Sequence, residues 1–531
     1  MRRYIFAAIF AAAVVSCGQP KTRLEANLDN YAVVHLEVPA SINDISDNGK
    51  EVLNLYRFAA DEADKIFWDQ NFGDKALMDS LPEPARDFAM VNYGPWNRIT
   101  GKPFVKGYGD RPFGSNFYPE DMTEAEFEAF ADPAKNSPYT MIRRDEAGKL
   151  VAIPYHEAYK EHVDKIYNYL VAAADITIKP SVRNYLLKKA EALRTDDYYE
   201  SELAWLDMND SKMDLVIGPN EKDDDEYRGL KASYGAVVML KDTLHTAMLS
   251  RYADMAPELQ AMLPCDEKYK SFVPGSDNNI FACDVLYYAG NYNAGFKVIA
   301  INLPYDPRVQ AERGTRTILF NNVIREKFNR TVFPVGQLLL ESSQKAHLDV
   351  DAFYWNIAFR EVAHGLGVKQ TLDGRDVVDV LGADAYTLEE AKANILGVYL
   401  AKRLGERHVF PNLLQKEDFI TTFVTSLIRS ARFGVEEGTG KANVMIYNYL
   451  VEKEALVRNN EAGYYTIDYA KASEAIEAFA AEVLKLQAEG DAAAASAFVV
   501  KYSEMPASIK ADVVALELEK IPVDIRFVFA K

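Results

Sequence analysis

The run Phe359-Arg360-Glu361-Val362-Ala363-His364-Gly365-Leu366-Gly367 decides how the rest of the chain is to be understood. It has the form of the zinc-peptidase helix motif HExxH with arginine in place of the first histidine. Residues four apart on a helix share a face, so in that motif two histidines grip one zinc ion while the glutamate between them activates its water. Here the first ligand position is Arg360, whose guanidinium stays protonated and has no lone pair to offer a metal. The stretch has the form of a metal-binding helix with one ligand exchanged for a cation, which leaves open whether the chain is a peptidase or the shell of one.

The 531 residues, 49% hydrophobic and 26% charged, suffice for a large core divided into two or more domains. With 79 acidic against 60 basic residues the formal charge is −19, which repels phosphate backbones and argues against nucleic acid as a partner. Residues 1–16 read as a secretory signal: two arginines, then an apolar run of about a dozen residues, too short to span a bilayer. The signal ends at Val14-Val15-Ser16-Cys17, which resembles a bacterial lipobox. Cleavage before Cys17 and lipidation of its thiol would make the protein an extracytoplasmic lipoprotein, periplasmic or cell-surface, touching the membrane through its anchor only. A plain signal with an incidental cysteine is the alternative. Residues 17–35, polar and aperiodic, read as the lipidated tether. Cys265 and Cys283 could pair in an oxidising compartment or remain two buried thiols; spacing does not choose.

Apolar spacing predicts a helix over 49–72, and Thr123 with Glu126 forms a capping box. Between them, 82–119 is a long aromatic-rich loop of the kind that often lines sites. Helices are expected over 156–173 and 181–193, then short strands over 214–219, 296–302 and 332–334. The acidic run 223–226 reads as a solvated turn. Helices then dominate, over 352–366, 387–404, 416–432, 442–459 and 472–488. An α+β protein, predominantly helical, follows.

Downstream of the central helix stands Leu388-Glu389-Glu390-Ala391-Lys392-Ala393-Asn394. FREVAHGLG followed by LEEAKANILG resembles the FHEVAHGLG and LEExKADILG of the short bacterial branch of the dipeptidyl peptidase III family. The resemblance runs over roughly 45–525, through Asn92-Tyr-Gly-Pro-Trp96, Tyr198-Tyr-Glu-Ser-Glu-Leu-Ala-Trp205 and Ala300-Ile-Asn-Leu-Pro304. It implies a two-lobed architecture: a mixed lower domain over 36–345, a helical upper domain over 346–490, and a segment over 491–531 returning to the lower domain. A wide peptide-binding cleft would separate the lobes.

Carried across by position, the resemblance makes His364 the second zinc histidine, Glu361 the general base and Glu390 the ligand glutamate. Glu389 beside it takes an orienting role, and Asn302 and Arg432 fall in the substrate cleft. Three positions depart. Arg360 replaces the first zinc histidine, and Asn394 replaces the carboxylate that would orient it. Thr439, in Arg432-Phe-Gly-Val-Glu-Glu-Gly-Thr-Gly-Lys-Ala-Asn443, replaces a histidine thought to steady the oxyanion. Gly438-Thr-Gly-Lys441 mimics part of a phosphate loop, but Ala442 follows where Ser or Thr is required. Two ligands rarely hold catalytic zinc, and His408 is the nearest candidate for another. Arg360 is expected to pair with Glu390 and Glu361, the alternative being a side chain turned to solvent.

The expectation is therefore a pseudopeptidase that binds a peptide or protein partner and needs no cofactor. The competing readings are a zinc-dependent dipeptidyl peptidase with an altered metal site and a purely structural protein. If the lipobox is used, Cys17→Ala moves the protein from the membrane to the soluble fraction in cell fractionation; retention on the membrane refutes the anchor.

Overall fold

The computed structural model describes residues 31–222, 224–271, 279–436 and 438–529. The signal, Cys17 and the tether to residue 30 lie outside the described residues. The end of the expected tether is folded: Tyr31–Leu36 forms strand β1, with Tyr31, Val34 and Leu36 buried. Its β-branched and aromatic residues suit a half-buried strand better than a solvated tether.

Ser46 accepts a hydrogen bond from Gly49 N at 3.2 Å and opens helix α1 (Asp47–Asn71), which buries Leu53, Tyr56, Ala60, Ala63 and Phe67. Helices α2 (Lys160–Ile176), α3 (Pro180–Thr195) and α4 (Tyr199–Asp207) follow. The chain then builds a five-stranded sheet from β2 (Met213–Glu221), β3 (Ser233–Lys241), β4 (Asn279–Gly290), β5 (Ala300–Leu303) and β6 (Arg316–Phe320). The strand order is β2-β3-β4-β6-β5, with only β4 and β6 parallel. These elements enclose the first core, in which Val237 of β3 stands between Val216 and Tyr288.

The second core is helical. It centres on α5 (Val350–His364), α6 (Ala385–Glu406), α7 (Lys416–Ser430), α8 (Gly438–Glu452) and α9 (Tyr469–Glu489). Strand β7 (Asp524–Phe529) returns to the first lobe and pairs in parallel with β1. Asp524 fixes that return from a fully buried position, accepting from Lys297 N at 2.8 Å and pairing with Lys327 Nζ at 3.0 Å. The protein is two-lobed, α+β and mostly helical.

Several expectations are corrected. The packing boundary does not fall at 345: Leu249, Tyr252, Ile324 and Val335 already belong to the helical core. The segment over 491–531 divides, because Val499, Tyr502, Ile509 and Leu516 pack in that core and only β7 goes back. Val332 and Pro334 are helical rather than extended: Val332 ends a π-helical turn, Phe328–Val332, that runs directly into the α-helix Phe333–Leu339 holding Pro334. Helix α8 stops at Glu452, and Leu456–Asn459 pairs with Tyr464–Ile467 as a hairpin. The aromatic loop supplies core residues, Phe104 and Phe117 among them. Asp224 and Asp225 are buried, not solvated: Asp224 pairs with Arg98 and with Arg111, and Asp225 accepts from Tyr118 Oη at 2.7 Å. Cys265 and Cys283 are free thiols. Among the described residues no helix is long and apolar enough to cross a membrane.

Helices α5 and α6 approach unusually closely. A Cβ on Gly397 would lie 2.8 Å from Asn356 O and 2.9 Å from Arg360 N. Those neighbours are backbone and cannot swing aside, so Gly397→Ala must spread the two helices. The variant is expected to lose about 1–3 kcal/mol, as overpacked sites do, read as a lower urea midpoint; a midpoint equal to wild type would show that the helices slide freely.

Candidate functional site

The close crossing at Gly397 sets the last two turns of α5 against the N-terminal turns of α6. Asp349 caps α5 by accepting from Asp351 N and Ala352 N, fixing the helical phase in which Arg360 and His364 share a face. Facing them, α6 presents Glu389, Glu390 and, one turn on, Asn394.

Arg360 forms a bridge. Its Nη2 donates to Glu390 Oε2 at 2.7 Å and its Nη1 to Glu361 Oε1 at 2.5 Å. The carboxylates are nearly enclosed, with 6% and 12% of their side-chain surface exposed against 26% for Arg360. Burial works to lower the guanidinium pKa, but the charges of Glu361 and Glu390 outweigh it and hold Arg360 still more firmly protonated. Thr439, at the start of α8, donates to the same Glu390 oxygen at 3.1 Å.

His364 sits between adjacent carboxylates, its Nδ1 at 3.2 Å from Glu389 Oε1 and its Nε2 at 3.8 Å from Glu390 Oε1. Glu389 is held by a second set of cations: Lys392 Nζ lies 2.9 Å from it and Lys369 Nζ at 3.9 Å. Burial alone would raise the Glu389 pKa, but the hydrogen bond from His364 and the charges of Lys392 and Lys369 drive it well below the usual carboxylate range. Lys392 is fully buried, and that burial brings its ammonium down to about 8 against the opposing charge of Glu389. Lys369 also donates to His364 O at 2.6 Å, tying down the end of α5.

Beside Arg360 opens a cavity of about 460 Å³ between the lobes. Phe296 and Ile299 come from the first lobe and Phe353, Phe423 and Phe433 from the second, with Asn394, Thr439 and Asn443 as polar wall. Asn394 donates to Asn443 Oδ1 at 3.2 Å, toward α8. The Phe296 and Phe433 rings meet edge to face at 4.5 Å, so the lobes touch here.

The fold has close counterparts among solved structures. A structure of DPP III from Caldithrix abyssi is 31% identical, with a TM-score of 0.89 over 94% of this chain and 98% of that one. The chain belongs to the dipeptidyl peptidase III family. Dipeptidyl-peptidase III from Corallococcus sp. strain EGB is 29% identical, with a TM-score of 0.79 over 94% of this chain and 95% of that one. A plant protein named Nudix hydrolase 3, from Arabidopsis thaliana, is 30% identical over 574 aligned positions, covering 94% of this chain and 73% of that protein. No protein-family model matches.

The dipeptidyl peptidase III resemblance implies zinc, and the side chains present do not fit it. Of the would-be ligands His364 and Glu390, the latter already gives one oxygen to a guanidinium and a hydroxyl. Among the described residues no group of three or more His, Cys, Asp or Glu side chains is arranged to hold a metal ion. His408 does not supply the missing donor: it is exposed beyond the far end of α6, about 24 Å along the helix from Glu390. Neither Asn302 nor Arg432, expected in the substrate cleft, lines the cavity beside Arg360. Asn302 accepts from Thr317 Oγ1 at 3.3 Å, and Arg432 donates to Pro522 O and Ile521 O, both at 2.9 Å, steering the chain toward β7. Sequence reasoning missed Lys392 and Lys369. The spacing Glu389 to Lys392, three apart on one helix, was the available signal.

Arg360→Ala would leave Glu361 and Glu390 enclosed without a cation, which costs about 3–5 kcal/mol when one partner of a buried pair is removed. The expected reading is a large drop in urea midpoint, with Arg360→Lys intermediate because an ammonium lacks the planar fork; an Arg360→Ala midpoint equal to wild type would show that the bridge contributes nothing.

Proposed function

We propose that this dipeptidyl peptidase III homologue is a pseudopeptidase that binds a peptide, or a peptide segment of a protein partner, between its lobes without cleaving it. The observation that carries the reading is the Arg360 bridge to Glu361 and Glu390. In a zinc peptidase the metal supplies the local positive charge, makes a nucleophile of its bound water and leaves the neighbouring glutamate free to take a proton. An arginine supplies the charge alone. It has no open coordination position, and it keeps the glutamate in the base position inside a hydrogen bond.

Two further substitutions support the same reading. Asn394, which hydrogen-bonds to Asn443, offers no carboxylate to orient a ligand histidine. Thr439 presents a neutral hydroxyl spent on Glu390 where a charged donor would stabilise a developing oxyanion, and loss of such a donor costs about a hundredfold or more in rate. The cavity beside the bridge supports retained binding, with aromatic walls for apolar side chains and amides for peptide groups.

The zinc-dependent reading has one observation in its favour: His364 Nε2 and Glu390 Oε1 still converge, 3.8 Å apart. One set of measurements separates the two. Purified protein is analysed for zinc, titrated calorimetrically with oligopeptides, and assayed for dipeptide release, beside Arg360→His and the triple variant Arg360→His/Asn394→Asp/Thr439→His. Peptide binding without zinc or turnover is expected of the wild type, no recovery from the single change, and zinc uptake by the triple variant. Stoichiometric zinc with brisk dipeptide release by the wild type overturns the proposal.

A further inference from the structure

The first lobe encloses a second cavity, of about 330 Å³, between α3, α4 and the ends of β2 and β5. It shares no lining residue with the cavity beside Arg360. Lys189 enters it from α3 with only 5% of its surface exposed. Its ammonium stands 5.1 Å from the centroid of the Tyr198 ring, and it has no hydrogen-bond acceptor among the described residues. From α4 comes Glu202, whose Oε2 is buried and likewise without a hydrogen-bond partner.

The two groups feel each other's charge across the space, yet no hydrogen bond joins them. Burial brings the Lys189 ammonium down and pushes the Glu202 carboxyl up to about 7, each shift opposed by the other's charge. The nearby Arg308 is no substitute partner for Glu202, because it is committed to Asp306 at 2.5 Å. A buried cation without a hydrogen-bond acceptor and a half-buried carboxyl with one buried, unpaired oxygen are costly to keep. The space between them is far larger than the roughly 30 Å³ of one water and lies at the lower end of the range of about 300–1,000 Å³ seen for ligand sites. Its remaining walls include Tyr139, Tyr185 and Trp205, which are aromatic.

A ligand that satisfies both groups must carry an anion and a cation a short distance apart and bury an apolar part against rings. A simple anion would meet Lys189 but be repelled by Glu202, and a simple amine would suffer the reverse. We propose that this cavity binds a free α-amino acid with an apolar side chain, its carboxylate on Lys189 and its ammonium on Glu202. The site is independent of any peptide held between the lobes.

Isothermal titration of the full chain with L-leucine and L-phenylalanine tests the assignment, beside N-acetyl-leucine, which lacks the ammonium, and leucinamide, which lacks the carboxylate. Binding at millimolar concentration or tighter is expected for the free amino acids, with at least a tenfold loss for each capped compound. Lys189→Met and Glu202→Gln, both close in volume to the native residue, should each lose at least tenfold as well. The capped compounds decide the matter on unaltered protein even if a variant fails to fold. No binding of either amino acid, equal binding of the capped compounds, or folded variants that bind as wild type would overturn it.

Discussion

One guanidinium holds the centre of this molecule together. The last turns of α5 bring Glu361 into the crossing, and α6 brings Glu390; both are nearly enclosed, and like charges at that depth repel strongly. In a metallopeptidase a divalent ion resolves that repulsion. Here Arg360 does so from within the chain, holding Glu361 of its own helix at 2.5 Å and reaching across at 2.7 Å to Glu390, a bond that also ties the two helices together. The tight approach at Gly397 then becomes tolerable electrostatically as well as sterically.

A metal and an arginine solve the same charge problem with different consequences. A metal binds reversibly, exchanges water and can polarise a carbonyl; an arginine is covalently present, saturated by its acceptors and limited to hydrogen bonding. Thr439 completes the arrangement by donating to the Glu390 oxygen that already receives Arg360. That oxygen is thereby satisfied by two donors, and the cavity beside it is lined by the amides of Asn394 and Asn443 and by the cations Arg360, Lys327 and Arg429.

Much of the helical framework was legible from spacing alone. The 49–72 pattern became Asp47–Asn71 because it has a long periodic apolar stripe, and 387–404 became Ala385–Glu406, a long helix buried on nearly every side. Failures occurred where composition is silent about partners. Asp224 looks like a solvated residue until Arg98 and Arg111, more than a hundred positions earlier, arrive to pair with it. The residues from Tyr31 to His35 look like the end of a tether until β7, from the far end of the chain, lies alongside as a parallel strand. Both depend on contacts distant in sequence, which period and propensity do not encode.

The site divides along the same line. Arg360, Glu361 and His364 belong to one helix, and Glu389 and Glu390 to another, so helical geometry with a family resemblance sufficed to name them. What it could not supply was direction. Asn394 turns to Asn443, Arg432 reaches the carbonyls of residues 521 and 522, and His364 shares its ring between two carboxylates. Lys392 shows why direction matters most. On a helical wheel it is an ordinary lysine beside a glutamate, worth a few tenths of a kcal/mol at a surface. Fully buried, it donates to Leu366 O at 2.8 Å and holds Glu389 at 2.9 Å. Glu389 therefore stays charged and His364 keeps an acceptor for Nδ1. The same pair of residues passes from decoration to framework when the dielectric around it falls, and burial is the one quantity the sequence does not print.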